Sequence, residues 1–131
     1  MNFQEFLETI KRDVPAALEG VMITAAEIGE LVSARGSEIE ELVKAHGAPA
    51  LAAIKKHGPV AIDMIKQHGA EIVILIKTHG PVVVELVKTH GPQALEAIKT
   101  HGGTAIKFIQ QHGLKGLEQL KRQTDDEKKS S

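Results

Sequence analysis

His57-Gly58-Pro59-Val60-Ala61-Ile62-Asp63-Met64-Ile65-Lys66-Gln67 runs directly into His68-Gly69, where a similar eleven-residue pattern begins again. His-Gly occurs at His46-Gly47, His57-Gly58, His68-Gly69, His79-Gly80, His90-Gly91, His101-Gly102 and His112-Gly113, without a slip in register. All seven histidines of the 131-residue chain belong to that series. Stepping backward by 11 from His46 gives weaker units at Arg35, Thr24, Asp13 and Asn2, of which Arg35-Gly36 keeps the glycine and replaces the histidine. With His as position 1, position 9 is aliphatic in every unit: Ile10, Val21, Val32, Val43, Ile54, Ile65, Ile76, Val87, Ile98, Ile109 and Leu120.

Inside the unit that starts at His57, the apolar residues Ala61, Ile62, Met64 and Ile65 occupy positions 5, 6, 8 and 9. Spacings of three and four on one stripe are those of a helix. Position 7 is usually acidic, as at Asp63, Glu85 and Glu96, and position 10 is usually lysine, as at Lys55, Lys66, Lys77 and Lys88. These charges read as a solvated face, with the lysine in the last turn where a cation suits the helix dipole.

An 11-residue period also fits one long, slightly unwound helix or a right-handed coiled coil. The helix breakers oppose it. A continuous helix from His46 to Gly113 would hold a glycine in every unit plus Pro49, Pro59, Pro81 and Pro92. At about 1 kcal/mol per glycine and about 3 per proline, the cost is on the order of 20 kcal/mol, more than a typical domain's whole stability. Broken into short helices, the same residues become favourable: glycine in a left-handed cap, proline where the next helix begins. The expected fold is therefore all-α, a compact superhelical solenoid of two-turn helices, one per 11-residue repeat. Helices that short need neighbours to bury their aliphatic faces. Three segments are expected: degenerate N-terminal repeats at 2–45 that cap one end, His-Gly repeats at 46–122, and a disordered polar tail at 123–131.

Units such as Lys77-Thr78-His79-Gly80-Pro81 and Lys88-Thr89-His90-Gly91-Pro92 resemble the tandem 11-residue short-helix repeats of some bacterial proteins. The resemblance covers most of the chain. It implies a fold and no reaction, so no functional residue is carried over from it.

Composition narrows the function. Sixteen lysines and arginines stand against 17 aspartates and glutamates, for a net charge of −1, so there is no basic field to gather nucleic acid. Three phenylalanines with no tyrosine or tryptophan offer almost no base-stacking platform. The absence of cysteine excludes disulfides and thiolate chemistry. Neither a secretory signal nor a membrane span is expected, the longest apolar run being Ile72 to Ile76, and a cytoplasmic location is the default.

Repetition argues against catalysis, since an active site is a singular constellation and this chain offers the same side chains many times over. No phosphate loop is present, and serine falls only at Ser33, Ser37 and the tail, away from any triad with the repeated histidines. No catalytic, cofactor or metal residue is assigned, because metal ligands must converge to about 2 Å from one ion and neighbouring units hold their histidines apart. His46, His57, His68, His79, His90, His101 and His112 are read as a structural ladder at helix ends, and Gly47, Gly58, Gly69, Gly80, Gly91, Gly102 and Gly113 as the turns. One irregularity stands out. Ile74 occupies the usually acidic position 7, and Val82 stands where neighbouring copies carry Glu71 and Gln93, which marks Ile74 and Val82 as a candidate interface.

The expected function is a non-enzymatic structural or interaction module that binds a protein partner or itself. Two further readings stand beside it: an amphipathic helix that straightens on a membrane surface, and a histidine-based pH or metal sensor.

Overall fold

In a computed structural model, which describes residues 1–113, 115 and 116, the chain is all-helical, with no strand among the described residues. Helix α1 spans Phe3–Asp13, a 3-10 helix η1 spans Pro15–Leu18, and α2 spans Ala25–His46. Then follow α3 (Ala48–His57), α4 (Pro59–His68), α5 (Ala70–His79), α6 (Val82–His90), α7 (Pro92–His101) and α8 (Gly103–His112). The expected tail at 123–131, and most of the unit that starts at His112, lie outside the described residues.

The repeat helices are longer than two turns. Four of the five that follow α3 run for 10 residues, nearly three turns at 3.6 residues per turn, because a single glycine suffices to separate most of them. Gly58 N–H donates to Ile54 O at 2.8 Å and closes α3, while Gly58 O accepts from Ala61 N at 3.1 Å and opens α4. Gly69 and Gly102 do the same between their helices. The backbone at these joints is not the ordinary left-handed cap. Gly69 has φ 59° and ψ −137°, an extended conformation at positive φ that is essentially confined to glycine. Such a residue ends one helix and redirects the chain within one step, which leaves the other ten residues of the unit free to be helical.

The N-terminal region departs from this scheme. α1 and α2 open on side-chain caps: Asn2 Oδ1 accepts from Glu5 N–H at 2.8 Å, and Thr24 Oγ1 accepts from Glu27 N–H at 3.3 Å. Between them Pro15 starts η1, and residues 21–24 lie outside any helix. The units that start at Thr24 and Arg35 fuse into α2, which bends at Arg35 (φ −137°, ψ 30°). Gly36, unlike the glycines of the later units, keeps an ordinary φ and is buried beside Met1.

The chain divides into two compact units, Met1–Val84 and a second that begins at Glu85. In the first, α1 packs on α2 and η1, α2 meets α3 and α4, and α3 meets η1, α4 and α5. In the second, α7 packs on α8. Positions 5, 6, 8 and 9 supply the core. Ala50, Leu51, Ala53 and Ile54 in α3 are buried, as are Ala61, Ile62, Met64 and Ile65 in α4 and Ile72, Val73, Leu75 and Ile76 in α5. No polar or charged residue is buried among the described residues. Among the same residues, no helix is long and apolar enough to cross a membrane.

Candidate functional site

Three large apolar side chains are exposed among the described residues: Met1, Met22 and Ile74. Ile74 is the one set in the repeat proper. It lies on the outer face of α5 with 61% of its surface open to solvent, while its neighbours Val73 and Leu75 are buried. Position 7 therefore points away from the core, and the buried arc does not widen to take it in. Val82, the other candidate, is half-buried at the start of α6.

Ile74 borders an open groove of about 280 Å³ in the first unit. Ala45, Pro49, Ala70 and Val73 form its apolar lining, and His46 and Lys77 contribute the polar groups. The geometry that makes this groove is visible one repeat earlier. There Arg35 Nη2 meets Asp63 Oδ1 at 2.7 Å, a separation of 28 residues along the chain. Lys66 Nζ meets Glu38 Oε1 at 3.6 Å with the same separation, and Lys55 Nζ meets Glu27 Oε2 at 3.4 Å one repeat before that. Thus position 1 faces position 7 two units on, and position 4 faces position 10 two units on. Advanced by 11 residues, the Arg35–Asp63 pair becomes His46 with Ile74, and the Glu38–Lys66 pair becomes Pro49 with Lys77. All four of these residues line the groove. The groove is the place where two interhelix ion pairs have each lost their acid.

The electrostatics of the preceding repeat show what has been removed. The Arg35 hydrogen bond holds the Asp63 carboxyl below the ordinary carboxylate range, and Arg35 is raised in return by Asp63 and then Glu38. At the groove, neither Lys77 nor His46 has an ion pair with a described residue. A cation and an imidazole therefore flank an aliphatic surface.

The histidines each close a helix: His46 ends α2, His57 α3, His68 α4, His79 α5, His90 α6, His101 α7 and His112 α8. The glycine after each, Gly47, Gly58, Gly69, Gly80, Gly91, Gly102 and Gly113, stands at positive φ. His57 Nε2 lies 2.9 Å from Pro81 O, a bond in which the ring nitrogen donates, and the His112 ring tilts against Phe108 with centroids 6.3 Å apart. These contacts anchor helix ends and bring no two imidazoles together. Among the described residues, no group of three histidine, aspartate or glutamate side chains could hold a metal ion.

A second groove, of about 400 Å³, lies beside the exposed Met22. Lys55 crosses it, donating to Met22 O as well as pairing with Glu27. Sequence reasoning passed over Met22, although the signal was present: it occupies position 10 of its unit, where lysine recurs.

Compared with known proteins, the chain matches no family model, no curated protein and no solved structure.

Proposed function

We propose that this chain is a non-enzymatic protein-interaction module, built as a superhelical solenoid of tandem 11-residue short-helix repeats, with the Ile74 groove as its docking surface. The exposure of Ile74 carries the reading: a β-branched side chain 61% open to water, on a helix whose other large aliphatic residues are buried, borders an apolar-lined groove, and apolar surface rimmed by polar groups marks interaction sites. The winding is supported by α3 meeting both α4 and α5, and by ion pairs that repeat at one fixed separation. In such an array each unit rests on its near neighbours, and its outer face is free for a partner.

A photo-crosslinking residue placed at position 74 tests this in cells. It is expected to join a protein, either a partner or a second copy, that the same residue at Asp63 or Glu85 does not reach. Equal labelling at all three positions, or none at position 74, rejects the reading. Ile74→Glu is expected to abolish the association and leave the thermal midpoint within about 3 °C, since surface changes fall mostly within ±0.5 kcal/mol. Severe unfolding would show instead that Ile74 is part of the core. Helix content that emerges only with anionic vesicles would favour the membrane-surface alternative.

A further inference from the structure

We infer that the occupant of the Ile74 groove is an acidic amphipathic helix of another protein, one that presents an aliphatic anchor and a carboxylate about one turn away. The inference rests on the interaction reading above and names the chemistry of the partner. Its ground is the pair of missing acids. In the repeat before, Arg35 and Lys66 have their carboxylates in Asp63 and Glu38, at 2.7 and 3.6 Å. In the groove, Ile74 and Pro49 occupy those two places, so Lys77 and His46 face an apolar surface with no acid opposite them among the described residues. A ligand that restores what the repeat has lost must bring both an apolar side chain for the groove and a carboxylate for its edge. A helix supplies the two together, because residues three and four apart share a face.

A second copy docked groove to groove would bring its own Lys77 and His46, and the one acid of α5, Glu71, already has an interaction of its own, so a copy offers these cations little in return. An open groove of about 280 Å³ suits one or two inserted side chains better than an enclosed small molecule, which takes a deeper cavity.

The test uses the full chain with labelled isoleucine methyl groups and two short acetylated alanine-based helices. One carries leucine and glutamate on one face; the other carries leucine and lysine. Titration is expected to shift the Ile74 methyl signal saturably, with the glutamate helix binding on the order of fivefold more tightly at low salt, as for exposed ion pairs. Lys77→Gln should reduce that preference while leaving the fold intact, and Ile74→Glu should weaken binding of the glutamate helix. Equal affinity for the two helices, or a preference for lysine, overturns the inference even where crosslinking from position 74 finds a partner. Decanoate shifting Ile74 where neither helix does would make the site one for lipid carboxylates and overturn it too. A concentration-dependent shift of Ile74 in the protein alone, lost in Ile74→Glu, would assign the groove to a second copy.

Discussion

Gly102 and Gly103 are adjacent and do opposite things. Gly102 stands at φ 59°, ψ −133° and separates two helices, whereas Gly103 is the first residue of α8 and keeps an ordinary φ. The contrast extends to Gly69 (φ 59°), where no atom lies within 4 Å of the place a Cβ would occupy, so a methyl group added there meets no steric obstacle and only the backbone objects. Gly69→Ala is thus expected to destabilise the chain by about 1–3 kcal/mol through strain alone. A Cβ at Gly103 also meets nothing within 4 Å, and its conformation suits any residue. Gly103→Ala should stabilise by about 0.4–1 kcal/mol, chiefly by restricting the unfolded chain. Urea unfolding of the two variants checks both signs; midpoints that move in the same direction would mean that the joints are not held by glycine's conformation.

Helix α2 shows what a repeat does when its glycine is not used as a joint. The guanidinium of Arg35 sits at the bend and binds Glu38 Oε2 at 2.6 Å within its own helix and Asp63 Oδ1 at 2.7 Å on α4. Because Asp63 is held below the ordinary carboxylate range, which centres near pH 3.9, the unfolded chain takes up its proton first as pH falls. The stability it contributes is full above about pH 4 and is lost as pH drops through the lowered folded value. Asp63→Asn is expected to lower the melting temperature slightly at pH 7, by an amount that shrinks in acid and in high salt, since the Asp63 side chain is 65% exposed. A melting difference that stays constant from neutral pH to about pH 2 would assign the effect to shape and not to charge. The bend also marks where sequence ceases to be sufficient. Burial at positions 5, 6, 8 and 9 was legible from periodicity, because a three-turn helix returns the same face to the core with every unit. So was the outward place of Ile74, an aliphatic residue in an acid's position. The fused α2 was not, because Gly36 is kept helical through tertiary contacts, with Met1 against it and Asp63 of α4 drawing on Arg35. The groove escaped as well, since the spacing of 28 residues that aligns His46 with Ile74 is a product of helix packing and leaves no mark in the 11-residue period.

At the scale of the molecule, stability in such an array is a sum of unit and nearest-neighbour terms, so removing one whole unit should differ in kind from removing part of one. Deleting Ala70–Gly80 joins Gly69 to Pro81, the same Gly-Pro step that Gly58-Pro59 already makes. Every later residue keeps its position in the repeat, and Val83, Val84, Leu86 and Val87 take over positions 5, 6, 8 and 9 from Ile72, Val73, Leu75 and Ile76. The shortened chain is expected to fold and melt cooperatively, with an unfolding enthalpy smaller by about 8 kcal/mol, the share of eleven residues at about 0.7 each. Deleting only Ala70–Leu75 leaves Ile76–His79, a remnant of four residues that cannot hold a helix or fill the core positions of its unit. That variant should lose helicity and cooperativity far beyond its smaller loss of chain, as read by circular dichroism and calorimetry. If the two deletions were equally damaging, the units would not be interchangeable, and the winding proposed for them would fail. The whole-unit deletion also removes Ile74 and Lys77, so a folded product that no longer binds the glutamate-bearing helix would separate the scaffold from the docking surface in one molecule.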